Sequence, residues 1–89
     1  MARYISMHTL ACLTRQGADG LVVKLQAIPA SAGVRARRVL LNMQEGKMLV
    51  EFEAPARDEL EHWLAENHFH FDWLLRMELE AIDGPLHAI

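Results

Sequence analysis

Eighty-nine residues make one small domain, residues 1–89, whose limited core leaves part of a 52% hydrophobic composition to be covered by something else, most simply a second copy of the chain. Twelve acidic residues against nine basic ones give a net charge of -3, which argues against phosphate-backbone binding, and a single cysteine excludes an internal disulfide and fits a reducing compartment. No apolar run approaches the ~20 residues needed to span a bilayer, and the opening Met-Ala-Arg-Tyr-Ile-Ser lacks a signal peptide's apolar segment, so a soluble cytoplasmic protein with no membrane or nucleic-acid partner is expected.

Tyr4 to Cys12 is rich in strand-compatible residues and reads as a first strand, followed by Thr14 as a helix cap. From Arg15 to about Ile28 the apolar residues Ala18, Leu21, Val22, Leu25 and Ile28 recur at steps of three and four, the signature of an amphipathic helix. Pro29, Ser31 and Gly33 stop it, because proline removes a backbone donor and glycine supplies turn geometry.

Val34 to Met43 and Lys47 to Ala54 are two strand patterns joined by Gln44-Glu45-Gly46, predicting a hairpin. Pairing Met43 with Met48 sets Leu41 against Val50, Val39 against Phe52 and, on the reverse face, Arg38 against Glu53. Arg35, Arg37 and Arg38 read as strand-surface charge. Pro55 opens a second helix with Leu60, Trp63 and Leu64 inward and Arg57, Asp58, Glu59, Glu61 and Glu66 outward, ending near Asn67. Leu74 to Ile82 alternates as a half-buried last strand before Asp83-Gly84-Pro85.

The order strand, helix, strand, strand, helix, strand with right-handed crossovers gives an α+β, ferredoxin-like βαββαβ fold: a four-stranded antiparallel sheet, order 4-1-3-2, with both helices on one face. The other face is bare in a monomer. Its expected occupants are Tyr4, Ser6, His8 and Leu10, then Arg38 and Leu40, then Leu49, Glu51 and Glu53, then Leu74, Arg76, Glu78 and Glu80. A homodimer with sheet against sheet, or a higher homo-oligomer, would cover that mixture.

Between the second helix and the last strand lies Asn67-His68-Phe69-His70-Phe71-Asp72-Trp73. In an extended backbone His68, His70 and Asp72 share one side, as candidate ligands for a borderline divalent cation such as nickel or zinc, while Phe69, Phe71 and Trp73 anchor the other in the core. His8 is the other candidate ligand, with Glu51 and Glu78 as expected neighbours that could also make it a general base. Cys12 stands near a helix start, where a dipole lowers a thiol pKa, although an apolar buried cysteine is the commoner case. Ser6, Thr9 and Ser31 show no base and orienting acid at a recognisable spacing, and the glycines form no dinucleotide or phosphate-binding motif, so a nucleotide cofactor is not expected. His62 and His87 carry no assigned role.

His8 on the first strand, the Gln44-Glu45-Gly46-Lys47 hairpin, the helix opening at Ala54-Pro55 and the histidine-then-aspartate segment before the last strand together resemble a family of small bacterial ferredoxin-like proteins, some described as nickel-binding. That resemblance spans nearly the whole chain and implies a dimer or higher assembly in which His8, His68, His70 and Asp72 hold a metal near subunit contacts. The broader superfamily of dimeric α/β barrels includes cofactor-free monooxygenases and isomerases. It implies, as a rival, an enzyme using the open sheet face as its pocket; a non-catalytic interaction domain is the third reading.

Overall fold

The computed structural model describes residues 1–11 and 13–89. Six principal elements follow the predicted order: β1 (Ala2–Thr9), α1 (Arg15–Gln26), β2 (Arg35–Asn42), β3 (Lys47–Ala54), α2 (Arg57–Glu66) and β4 (Trp73–Met77). The sheet runs β2-β3-β1-β4 with every neighbouring pair antiparallel, which is the predicted ferredoxin-like arrangement. The expected thiol environment of Cys12 lies outside the described residues.

Local chemistry explains the boundaries. The Thr14 side chain accepts a 3.0 Å hydrogen bond from the Gly17 amide, satisfying one of the donors that a helix start leaves unpaired. After α1 the chain passes through a single 3-10 turn, Ala30–Ala32, and Gly33 takes a φ of +74° that a side chain would resist. In the hairpin, Gly46 has a φ of +64° and its carbonyl accepts from the Leu10 amide at 2.8 Å. A Cβ there would stand 2.6 Å from the Leu10 carbonyl oxygen, so the turn is pressed against the end of β1.

The hairpin register differs from the prediction by two residues. Leu41 faces Met48, Val39 faces Val50 and Leu40 faces Leu49, while Asn42 and Lys47 close a four-residue turn. The period of a strand is two, so that slip preserves every face and was invisible to the hydrophobic pattern. The same slip sets Arg38 opposite Glu51, not Glu53, and an irregularity between Ala36 and Arg38 then places Ala36 against Phe52 and Arg35 against Glu53.

The core lies between the sheet and the two helices. Val50, Phe52 and Ala54 of β3, Leu25 of α1, and Leu60 and Leu64 of α2 fill it, with Phe69 and Leu74 closing one side. Trp63 stacks on Phe69 at 5.8 Å and tilts against Phe52 at 6.1 Å. This packing corrects the face assignment of two strands. Tyr4 faces Phe52, Ser6 faces Val50 and His8 faces Met48, so all three lie under the helices and not on the bare face. Leu74, opposite Ser6, joins them in the core, and Leu75 and Met77 take the open side.

The last strand also stops earlier than predicted. Beyond Met77 the chain forms a small ribbon, β5 (Leu79–Glu80) against β6 (His87–Ala88), that the alternating pattern had merged with β4.

Candidate functional site

Two places gather polar chemistry. The first is inside. His8 and Ser6 are two apart on β1 and therefore share a face, and the Ser6 hydroxyl lies 2.7 Å from His8 Nε2. On the other side of the ring Nδ1 is 2.7 Å from the His70 carbonyl oxygen. A carbonyl only accepts, so Nδ1 carries the proton and Nε2 of the neutral ring accepts from Ser6. Burial pushes the His8 imidazole below its ordinary pKa, against the smaller upward pull of the His70 carbonyl and of Asp72. Phe69 packs edge-on against the ring at 6.2 Å.

A hydroxyl hydrogen-bonded to an oriented imidazole is the starting arrangement of a serine nucleophile. Here the hydroxyl has nowhere to act. Ser6 is 0% exposed and His8 1%, so no substrate reaches either, and the pair serves to tie His70 to β1. The base that the sequence does not assign to Ser6 is His8, and the signal for it is their same-face spacing of two residues on β1.

The histidine segment is shaped by helix termination. His68 adopts a φ of +59°, its amide bonds to the Ala65 carbonyl and the Phe69 amide to the Leu64 carbonyl. That is the Schellman ending of a helix, with histidine where glycine is usual and Phe69 supplying the accompanying apolar contact. The left-handed residue breaks the expected two-residue alternation. Phe69 is buried and Phe71 packs partly against the core, while Trp73, expected there too, sits opposite Met7 on the open face with 39% of its surface exposed.

The four candidate ligands are consequently dispersed in role. His8 has both ring nitrogens engaged, His68 and His70 are exposed, and the Asp72 carboxylate accepts from the Thr9 hydroxyl at 2.5 Å with Lys47 Nζ 3.9 Å away. Among the described residues no three His, Cys, Asp or Glu side chains are grouped to hold a metal ion. The expected neighbours of His8 also change: Glu51 lies on the opposite face of the sheet.

The second place is the open face of the sheet, and it divides into two halves. Around Arg3 the face is charged. The Arg3 guanidinium reaches Glu80 at 2.8 Å and Glu51 at 3.4 Å, and Glu51 also meets Arg37 at 3.6 Å and Arg38 at 3.5 Å. Arg37 continues to Glu53 at 3.1 Å. The basic cluster of β2 is thus matched by carboxylates of β3. Around Met7 the face is apolar, with Leu49 and Trp73 as the cross-strand partners of Met7 and Leu40 beyond Leu49. Ile5 and Leu75 lie between the halves. Leu40 and Leu75 are 50% and 52% exposed, although both belong to a sheet.

No protein-family model matches the chain, and no curated protein matches it either. Among solved structures it is similar to the crystal structure of SCO4226 from Streptomyces coelicolor A3(2), at 14% identity over 90% of this chain and 100% of that one, with a TM-score of 0.77. At that identity the likeness establishes the fold alone. No helix of the described residues is long and apolar enough to cross a membrane.

Proposed function

We propose that this chain is a homodimeric, non-catalytic interaction module that associates through its open sheet face. The observation that supports this most directly is the exposure of Leu40, Trp73 and Leu75 on a sheet face that no helix of the described residues covers. A patch of this kind on a small protein marks an association surface. The neighbouring charges favour a second copy as the occupant. Arg3, Arg37 and Arg38 are matched by Glu51, Glu53 and Glu80 of the same chain, so the face offers no surplus of one sign that would repel its own copy across an isologous interface. A reducing, cytoplasmic setting fits a chain with one cysteine.

The non-catalytic part of the reading rests on the sealed Ser6 and His8 pair and on the apolar filling between sheet and helices. A divalent cation has a narrower basis: His70 and Asp72 are exposed, and a cation between them would need donors from a partner.

Sedimentation equilibrium of the wild-type chain and of Leu40→Asp and Leu75→Asp variants tests the proposal. A micromolar or tighter dimer that both variants dissociate is the expected result. A compact wild-type monomer at those concentrations sinks the reading. Equilibrium dialysis with nickel or zinc addresses the cation; uptake that His70→Ala abolishes would favour a metal-binding role.

A further inference from the structure

The ribbon formed by β5 and β6 is unusual for its surface. Leu79, Ile82, Leu86 and Ile89 are 54%, 68%, 63% and 41% exposed, in a segment joined to the sheet by few bonds. Glu80 holds it to Arg3, and the Ile89 amide donates to the Glu78 carbonyl at 3.0 Å. Those ties set the ribbon over the charged half of the open face, where Leu79, Ile82 and Ile89 wall a depression of about 230 Å³ floored by Arg3, Ile5 and Glu51. The apolar half is left bare. It carries its own shallow groove, about 200 Å³, lined by Met7, Leu40, Leu49 and Lys47.

One half of the face therefore bears a greasy projection and the other a greasy recess. A two-fold axis through the middle of the face, near Ile5 and Leu75, exchanges the halves. In a pair of copies related by such an axis, each ribbon would sit on the recess of the opposite copy. Area leads to the same place. Three strands of eight residues and one of five, ~4.8 Å apart at ~3.3 Å per residue, give a flat footprint of about 460 Å². A stable interface buries about 800 Å² on each partner, so sheet on sheet needs a further contributor.

We propose that the ribbon of residues 79–89 is a clasping arm whose apolar side chains, led by Ile82 and Leu86, dock in the Met7, Leu40 and Leu49 groove of a second copy of this chain. The arm rests on the homodimer reading and specifies its geometry. It accounts for four exposed apolar side chains that contribute nothing to the monomer's core. It also gives the Arg3 and Glu80 ion pair a task, which is to aim the arm.

Two measurements test the arm. Ile82→Asp and Leu86→Asp, at exposed positions and with circular dichroism as the check on folding, are expected to weaken the dimer at least tenfold in sedimentation equilibrium. A benzophenone amino acid at position 82, irradiated in dimers mixed from light and isotopically heavy chains, is expected to label the opposite chain between Leu40 and Leu49 or at Met7. A wild-type dimer that Leu40→Asp dissociates, but that both ribbon variants leave unchanged, overturns the arm and preserves the dimer. Labelling confined to the same chain overturns it equally, and a monomeric wild type removes the homodimer and the arm together.

Discussion

The two faces of this one sheet are built from the same strands and meet opposite fates. Under the helices, Val50, Phe52 and Ala54 are fully buried; on the reverse, Leu40 and Leu75 keep half their surface in contact with solvent. What separates them is the number of layers available. Two helices cover one face, and among the described residues no second layer covers the other. The polar groups differ in the same way. Inside, Ser6 and His8 form one closed hydrogen-bonded unit, whereas outside the arginines and glutamates form a network that remains partly wet.

The contrast is most sharply broken by Phe52→Ala, which opens a cavity among Leu25, Leu60 and Trp63 and is expected to cost ~3–5 kcal/mol in urea unfolding. Next in size is Ser6→Ala. It strips His8 Nε2 of its donor in a site without water access, at ~1–3 kcal/mol by the same measurement.

The inner unit also predicts a pH response. The folded His8 pKa lies below the ordinary value of 6.5, so the unfolded chain binds the proton more readily. His8 therefore contributes stability that is present above pH 6.5 and is lost as pH falls through that value toward the folded pKa. Unfolding free energies between pH 7.5 and 5.5 should decline in the wild type, and His8→Gln should flatten the curve. An unchanged slope would remove the neutral, buried imidazole from the account.

Smaller effects sharpen the comparison. His68→Gly relieves a left-handed backbone at the helix end and is expected to raise stability by ~0.4–1 kcal/mol, visible as a higher urea midpoint. A fall would mean that the His68 side chain makes a contact worth more than the strain. Leu75→Ser, on the open face, is expected to change the stability of the dilute monomer by no more than ~0.5 kcal/mol. Its consequence should show only in association.

Much of this architecture was legible beforehand, and the misreadings have specific causes. The alternation from Met48 to Ala54 and the three- and four-residue steps around Leu25 and Leu60 identify their own elements, since each pattern has a single period and a capping or turn residue at its end. β1 carries no such bias. Tyr4, Ser6 and His8 are no more apolar than Ile5 and Met7, and the more hydrophobic set turns out to face solvent. Only the pairing with β3 settles the matter. The histidine segment misleads for a different reason, because a two-residue period presupposes extended backbone and His68 turns left-handed to end α2.

From its sequence alone this chain determined the element order, the sheet topology and the surplus of apolar surface, all of which follow from local periodicity and from the small volume that 89 residues can enclose. Tertiary structure decided which side of β1 and β4 faces the helices, that His8 is spent on Ser6 and the His70 carbonyl, and that the open face has a charged half under a ribbon and an apolar half left bare. The choice of faces and the hold on His70 depend on contacts far apart in the chain, such as Tyr4 with Phe52 and His8 with the His70 carbonyl, and no local pattern encodes which of two similar faces a distant strand will choose.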